Sequence, residues 1–147
     1  MNTKYQQWLN CPGMNDELLG QLKAMNEEQI SDSFYRELAF GTGGLRGVLG
    51  AGTNRMNLYT VSKATRGLGK YLKETFENPS CAVSCDSRIH STDFARLTAA
   101  TLAEMGIRVY IYKTLMPTPM LSYAVRHLKT SAGVMVTASH NPAKFNG

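Results

Sequence analysis

The sequence contains no long apolar run and only a few cysteines. No segment approaches the roughly 20 consecutive apolar residues that are needed to cross a bilayer. Residues 1–7 lack the apolar stretch of a secretory signal, so we expect no membrane partner and predict a cytoplasmic location. The three cysteines, Cys11, Cys81 and Cys85, are odd in number and form no Cys-x-x-Cys pair. This pattern argues against a disulfide framework or a zinc knuckle and indicates reduced, structural thiols.

The sequence also lacks a concentrated run of basic residues. Of its 147 residues, 43% are hydrophobic and 18% are charged, which is ordinary for one globular domain. The net charge of +5 comes from 16 Lys+Arg against 11 Asp+Glu, but the basic residues are scattered along the chain. Because no RNA-binding signature is present either, we expect no nucleic acid as a partner. The positive excess suits an anionic small molecule such as a phosphorylated substrate.

Residues 1–39 are predicted to form a helical amino-terminal extension that consists of two short helices. The apolar stripe of the first helix is Leu18, Leu19, Leu22 and Met25. The second helix is predicted to carry Phe34, Tyr35 and Leu38. Ser31 is the expected cap of this second helix, because a serine hydroxyl can accept a bond from the first turn.

Helical and strand patterns alternate over residues 40–147. A long helix is predicted before Asn78-Pro79, from the apolar spacing of Leu58, Val61, Thr65, Leu68 and Leu72. Ser91 is the predicted cap of a second helix, and Thr118-Pro119 is predicted to be a cap followed by proline at the first helical position. Short apolar strands are predicted at residues 82–84, 107–111 and 132–136.

This alternation predicts an α/β fold with a mixed, mostly parallel sheet sandwiched between helices. Ligands in such sheets gather in loops that leave the carboxyl ends of the strands. The segment Thr137-Ala138-Ser139-His140-Asn141-Pro142 directly follows the last predicted strand. We therefore expect the functional site of the chain in this loop.

The residue types in this loop suit group transfer. Ser139 offers a hydroxyl, and Asn141-Pro142 favours a rigid turn that would hold it in place. His140 and Lys144 could provide positive charge or hydrogen bonds. From the residues alone, a plain structural turn is the alternative. A serine hydrolase is not expected, because adjacent side chains generally diverge and the Gly-x-Ser-x-Gly elbow is absent.

A glycine cluster, Phe40-Gly41-Thr42-Gly43-Gly44-Leu45-Arg46-Gly47, is the second feature with chemical content. It does not fit a dinucleotide fingerprint, because Arg46 stands where the last glycine is required. It does not fit a Walker A loop either, because no Gly-Lys-Ser/Thr follows. What remains is a loop whose amides and single arginine can approach an anion, or a simple tight connection.

Three motifs in the same order resemble those of the α-D-phosphohexomutases, the phosphoglucomutase/phosphomannomutase family. The loop at residues 137–142 resembles the phosphoserine loop of that family, and residues 40–47 resemble its amino-terminal signature. Asp86-Ser87-Arg88, just after a predicted strand, resembles a third landmark. The leading extension and residues 39–57 are similar to the phosphoglucomutase/phosphopentomutase subgroup. The resemblance implies that residues 40–147 form domain I of a longer, four-domain enzyme.

The resemblance also implies an activity and its site residues. Family members move phosphate between two positions of a sugar through a phosphoserine and a bisphosphorylated sugar intermediate, with Mg²⁺. The implied catalytic residues are Ser139, Arg46 and His140. The implied substrate- and phosphate-binding residues are Arg46, Thr137, Asn141 and Lys144. Ser139 would also be a metal ligand through its phosphate, while the other metal ligands would lie beyond residue 147.

Some questions stay open at the level of the sequence. The implied partners are a phosphosugar and the remaining domains of the same polypeptide, but the sugar itself is not identified. A non-enzymatic phosphosugar-binding or regulatory module with the same fold is the alternative function. Asp86 and Arg88 are either a functional pair or a structural ion pair, and we favour the structural interpretation, because an aspartate at the end of a strand commonly anchors a turn.

Overall fold

The computed structural model describes residues 3–147, which form six helices and five strands. In chain order these are α1 (Thr3–Leu9), α2 (Asp16–Ala24), α3 (Glu27–Phe34), β1 (Gly47–Val48), α4 (Leu58–Thr75), β2 (Ser80–Cys85), α5 (Ser91–Glu104), β3 (Arg108–Ile111), α6 (Thr118–His127), β4 (Ala132–Val136) and β5 (Phe145–Asn146). Among these residues, none of the helices combines the length and apolar character that a membrane span requires.

Three parallel strands in the order β3-β2-β4 form the central sheet, with Val83 of β2 opposite Ile111 and Val134. Successive β2 side chains enter different cores, because side chains alternate across a strand. Val83 packs in the cluster that contains Phe94 of α5, whereas Ala82 packs with Leu121 of α6. Helices therefore cover both faces, with α4 packed against α5 on the outside. This arrangement confirms the predicted α/β sandwich.

A separate antiparallel ribbon pairs β1 with β5, so that Gly47 lies opposite Asn146 and Val48 opposite Phe145. Antiparallel pairing is thus confined to two short strands, while the central sheet is wholly parallel. The ribbon joins the end of the glycine cluster to the chain that follows residues 137–142, here called the serine loop. Two-residue strands carry no usable periodicity, so the ribbon is not predictable from the apolar pattern of the sequence.

The amino-terminal extension differs from the prediction in two respects. It contains three helices, because α1 precedes the two that were expected. Ser31 is not a cap but lies inside α3, which begins earlier, after Asn26. Asn26 accepts a bond from the Gln29 amide while the Gln29 side chain accepts one from the Asn26 amide, so this capping box outcompetes the single serine. Leu38 lies beyond the end of α3.

Two helix starts in the α/β part lie one residue earlier than predicted. Ser91 and Thr118 are the first helical residues of α5 and α6, and the cap positions belong to His90 and Pro117. The side chains of His90 and Pro117 accept no hydrogen bond from the backbone amides of the first helical turn. The Ser91 hydroxyl is instead drawn to the Asp86 carboxylate, which accepts its hydrogen bond at 2.9 Å.

The cysteines are all free thiols, as the sequence predicted. Cys11 is exposed, whereas Cys81 and Cys85 are buried on β2. Burial raises the pKa of the Cys81 thiol to about 11, because the thiolate would lose its hydration in the core. Cys81 therefore stays protonated and unreactive at neutral pH.

Asn57, 3% exposed, secures the segment that follows β1. Its carboxamide oxygen accepts bonds from the Tyr59 and Thr60 amides at the start of α4. Its Nδ2 donates to the carbonyls of Gly50 and Gly52, at 2.8 and 3.0 Å. One buried side chain therefore caps the longest helix and also closes the loop that enters it.

We expect Asn57→Ala to destabilise the fold by about 2–4 kcal/mol, because it removes a cap and leaves buried carbonyls without donors. The matched control is Asn26→Ala at the exposed cap of α3, for which we expect about 1 kcal/mol. Denaturant unfolding gives both free energies. Equal losses in the two variants would show that the Gly50 and Gly52 bonds contribute nothing.

Candidate functional site

The loop that follows β4 presents Ser139 to solvent on a left-handed backbone. Ser139 has φ of 53° and is exposed. A non-glycine residue in this conformation costs about 1–2 kcal/mol, so the surrounding contacts must hold it there. The Ser139 amide donates to Thr137 Oγ1 at 2.9 Å, and the Asn141 amide donates to the Ala138 carbonyl at 3.0 Å. The loop is therefore a closed turn with the serine hydroxyl at its outer side.

Arg88 holds the loop from beneath through four backbone carbonyls. Its Nη2 donates to the carbonyls of Ser139 and Asn141, at 2.6 and 2.5 Å. Its Nη1 donates to the carbonyls of Pro142 and Phe145, at 3.0 and 3.2 Å. The Arg88 side chain is only 16% exposed. A planar guanidinium can serve several acceptors at once, so this single side chain fixes the path of residues 139–145.

Asp86, at the carboxyl end of β2, connects the loop to the sheet. Its Oδ2 accepts from the Thr137 hydroxyl at 2.5 Å. Its Oδ1 accepts from the Arg88 amide at 3.0 Å and from the Ser91 hydroxyl at 2.9 Å. The Arg88 guanidinium lies 3.9 Å away, so the ion pair is a loose one. Asp86 thus acts mainly as a hydrogen-bond acceptor that joins two strand ends, in agreement with the favoured structural interpretation.

The environment of Asp86 lowers its pKa. Partial burial works in the opposite direction, because it penalises the charged form. Hydrogen bonds donated by Thr137, by the Arg88 amide and by Ser91 outweigh that penalty, and the Arg88 charge adds to them. The carboxylate is therefore ionised at neutral pH and can only accept hydrogen bonds.

The glycine cluster brings Arg46 to the loop. Gly41 donates to the Gly44 carbonyl at 2.7 Å, which closes a tight turn before the ribbon. Arg46 directly precedes β1, and its Nη1 donates to Asn141 Oδ1 at 2.6 Å across 95 residues of chain. Its guanidinium is exposed and makes no other hydrogen bond within residues 3–147. Arg46 therefore has free donors beside the loop that carries Ser139.

His140 and Lys144 also lie on the exposed side of the loop. His140 Nδ1 is 3.3 Å from Ser139 Oγ, so the expectation that these neighbours diverge was wrong. Within the described chain no carboxylate contacts His140, so the orienting third member of a hydrolase triad is missing. Lys144 Nζ lies 5.8 Å from the centre of the Phe145 ring.

A cavity of about 720 Å³ adjoins the site on the inner side of the ribbon. Arg46 and Thr137 lie at its wall, but Ser139 and His140 do not. Apolar side chains such as Val61, Leu68 and Phe94 also line it. Arg46 is the one charged side chain among the residues that line this cavity, and Ser139 is not among them, so the cavity does not contain the expected phosphoryl-transfer residue. Ser139 is exposed to solvent outside this cavity.

No metal site is built from protein side chains in residues 3–147, because no three or more His, Cys, Asp or Glu residues come together there. The carboxylate closest to the serine loop by its contacts is Asp86, and both of its oxygens already accept hydrogen bonds. Magnesium prefers several hard oxygen ligands in octahedral geometry. The side chains of this chain do not by themselves fit a magnesium ion.

The structure brings the predicted site residues together, although they come from two distant segments. Arg46, Ser139, His140, Asn141 and Lys144 lie on or beside one exposed loop. The Thr137 hydroxyl is the exception, because its bonds to Asp86 and to the Ser139 amide occupy it inside the turn.

Sequence reasoning missed two contributions to the site. Arg88 was singled out, but nothing in Asp86-Ser87-Arg88 shows that its guanidinium spans four carbonyls more than 50 residues away. Asn146 was not considered, yet it is fully buried and donates to the Ile89 carbonyl and to Ser91 Oγ. No sequence signal pointed to Asn146, because the two-residue strand β5 that buries it was not predicted.

The lowered pKa of Asp86 predicts an acid-dependent stability. A carboxyl whose folded pKa is depressed stabilises the fold above its unfolded pKa of about 4, and loses that contribution as the pH falls through the folded pKa. We expect wild type to be more stable than Asp86→Asn at pH 7, and the difference to shrink below about pH 4. Urea unfolding between pH 2 and 7 measures this. A difference that stays constant with pH would refute the assignment.

Three comparisons with known proteins bear on the family and the fold of this chain. Residues 37–147 match the family model described as phosphoglucomutase/phosphomannomutase, alpha/beta/alpha domain I. A phosphoglucomutase of Staphylococcus haemolyticus (strain JCSC1435) is 47% identical over 114 residues, which are 78% of this chain and 21% of that protein. A phosphoglucomutase of Staphylococcus aureus (strain MRSA252) is 42% identical over 134 residues, 90% of this chain and 24% of that protein.

A solved structure gives the same result for the fold. The crystal structure assigned as a phosphomannomutase from Thermus thermophilus matches with a TM-score of 0.70 and 38% identity, over 76% of this chain and 25% of that chain. The present chain thus spans about a fifth to a quarter of the length of these relatives. The chain belongs to the phosphoglucomutase/phosphomannomutase family, and its residues 37–147 match the α/β/α domain I of that family.

Proposed function

We propose that this chain is the phosphoserine-bearing part of a phosphosugar mutase, an intramolecular phosphotransferase. The observation that carries the proposal is the presentation of Ser139, an exposed hydroxyl on a strained backbone that Arg88 and Thr137 hold in place. The exposed Arg46 guanidinium donates to Asn141, two residues further along the same loop. Rigid presentation of a nucleophile next to positive donors is what phosphoryl transfer requires of a protein.

The proposed reaction has two transfers. In the first, the bond between phosphorus and Ser139 Oγ breaks while a free hydroxyl oxygen of a sugar monophosphate forms a bond to that phosphorus. The product is a bisphosphorylated sugar; the proton of the sugar hydroxyl passes to a general base in the chain outside residues 1–147, and Ser139 Oγ takes up a proton as it leaves. In the second transfer, Ser139 Oγ gives up that proton and bonds to the other phosphorus, while the sugar oxygen that leaves this phosphorus takes up a proton. The phosphoserine is restored and the isomeric monophosphate is released.

The residues around Ser139 receive distinct roles in this proposal. A phosphate on Ser139 carries about −1.5 to −2 charges at neutral pH, so nearby cations must balance it. Arg46 and Lys144 would provide that charge, and Asn141 would hold Arg46 in place through its 2.6 Å bond. His140, 3.3 Å from Ser139 Oγ, would donate a hydrogen bond to the phosphate or to the substrate hydroxyl.

The proposal includes Mg²⁺ with only one ligand from this chain, the phosphate on Ser139. Such an ion would neutralise charge on the transferring group. The remaining ligands would come from chain outside residues 1–147, because the side chains described here do not fit the ion by themselves.

The other parts of the proposal follow from the length of the relatives. We propose that residues 1–39 are an extension and residues 40–147 domain I, with further domains of the same polypeptide as partners. The phosphosugar substrate can be a hexose or a pentose phosphate. A cytoplasmic location is part of the proposal and is supported by three cysteines that are all free thiols.

The decisive experiment asks whether Ser139 carries phosphate in the complete polypeptide. We expect intact mass and peptide mapping to find one phosphate on Ser139, and Ser139→Ala to abolish turnover of glucose, mannose and pentose 1-phosphates. Ser122→Ala, at an exposed serine of α6, is the matched control and should change neither result. Phosphate-binding without turnover in wild type would favour a non-enzymatic module, and full activity in Ser139→Ala would overturn the proposal.

Arg46 provides a second test. Its guanidinium can bind Asn141 and a phosphate oxygen at the same time, which a single ammonium cannot reproduce in the same geometry. We therefore expect Arg46→Lys to lower kcat by about tenfold to a hundredfold with little loss of thermal stability. Arg66→Lys, at an exposed arginine that pairs with Glu104 on the helical face, is the control. Identical kinetics in the Arg46 and Arg66 variants would make Arg46 a structural residue.

A further inference from the structure

We propose that Arg88 and Thr137 are positioning residues, which set the conformation of Ser139 without touching the phosphate or the sugar. This inference rests on the proposed function, because it concerns the residue that would carry the phosphoryl group. It assigns to the Thr137 hydroxyl a role inside the turn, in place of the phosphate-binding role that the family resemblance implied.

Most of the hydrogen-bond donors of Arg88 are already used. Its two terminal nitrogens donate to the carbonyls of Ser139, Asn141, Pro142 and Phe145. The side chain is 16% exposed, and its bond to Ser139 goes to the backbone carbonyl. A guanidinium has five N–H donors, and four hydrogen bonds here go to backbone oxygens. Arg88 therefore has little capacity left for a ligand, in contrast to the exposed Arg46.

The second step is the direction of the hydrogen bonds through Thr137. Asp86 is ionised and can only accept, so the proton of the Thr137 hydroxyl must point to Asp86 Oδ2, at 2.5 Å. The oxygen of that hydroxyl then accepts from the Ser139 amide at 2.9 Å. The two hydrogen bonds can therefore run only from the Ser139 amide to Thr137 and from Thr137 to Asp86. This fixed direction holds the amide of Ser139 in place.

The third step is the backbone conformation that these bonds maintain. Ser139 has φ of 53°, a value that glycine would adopt without strain but that an L-residue adopts only when it is held. Phosphoryl transfer needs the hydroxyl, so glycine cannot replace the serine. Arg88 donates to the Ser139 carbonyl, and Thr137 accepts from the Ser139 amide. Both backbone polar groups of Ser139 are therefore fixed, while its hydroxyl is not used for this purpose.

The test compares four variants in the complete polypeptide: Arg88→Lys, Thr137→Val, Thr137→Ser and Arg55→Lys. Arg88→Lys keeps the charge but cannot span four carbonyls. Thr137→Val removes the hydroxyl with little change in shape, and Thr137→Ser restores it. Arg55 is the matched control, because its side chain is 14% exposed and it also donates to backbone carbonyls, those of Asp32 and Asn54, away from the loop.

We expect Arg88→Lys and Thr137→Val to lower kcat about tenfold to a hundredfold with KM nearly unchanged, because misplacement of the nucleophile acts on the transfer step. Thr137→Ser should recover most of the rate, and Arg55→Lys should lose stability without losing kcat. If Arg88→Lys does not fold, the two Thr137 variants decide. A loss of kcat in Thr137→Val no larger than in Arg55→Lys, or no recovery in Thr137→Ser, would overturn the proposal.

A second readout does not depend on activity. Amide hydrogen exchange at Ser139 should accelerate in Thr137→Val beyond the change in global stability, and should stay at the wild-type rate in Thr137→Ser and Arg55→Lys. If wild type carries no phosphate and turns over no phosphosugar, the proposed function fails while this measurement still decides the positioning role. Unchanged Ser139 exchange in Thr137→Val would overturn the positioning role even in an active enzyme.

Discussion

The conformation of Ser139 is the constraint on which the rest of the site depends. A serine hydroxyl can be lifted clear of a loop by a left-handed backbone, but an L-residue does not remain in that conformation unaided. The bonds from Arg88 and Thr137 hold both backbone polar groups of the residue. Thr137 in turn donates to Asp86, which directly follows β2. Because β2 is the buried central strand, these bonds connect the exposed serine to the core of the sheet.

Parallel strand order explains why these residues meet. β2 and β4 are neighbours and run in the same direction, so Asp86 and Thr137 leave the same edge of the sheet, and the Asp86 amide donates to the Val136 carbonyl at 3.1 Å. The ribbon of β1 and β5 then brings Arg46 to this edge from the start of the α/β part. Three segments far apart in sequence thus form one site without any of them being buried in a ligand cavity.

Periodicity made the large elements predictable from the sequence. The apolar spacing from Leu58 to Leu72 corresponds to α4, and residues 132–136 correspond to β4. Local chemistry was predicted less well where two options competed, as when the Asn26 capping box replaced Ser31 at the start of α3. The contacts of Arg88 could not be predicted from the sequence. Every residue has a backbone carbonyl, so the identity of the four accepting residues does not reveal these bonds. The serine loop itself was located correctly, because its position depends only on the strand before it.

The two arginines of the site differ in what their positive charge acts on. Arg88 is nearly buried and its terminal nitrogens are engaged by carbonyls, so its charge acts on the loop. Arg46 is exposed and is held by one bond to Asn141, so its remaining donors are free beside the loop that carries Ser139. Substitution at the first position should therefore alter where the hydroxyl is, and substitution at the second should alter what stabilises the group attached to it. A lysine is a poor replacement in both places, but for different reasons: it has too few donors for four carbonyls, and no planar fork for a phosphate.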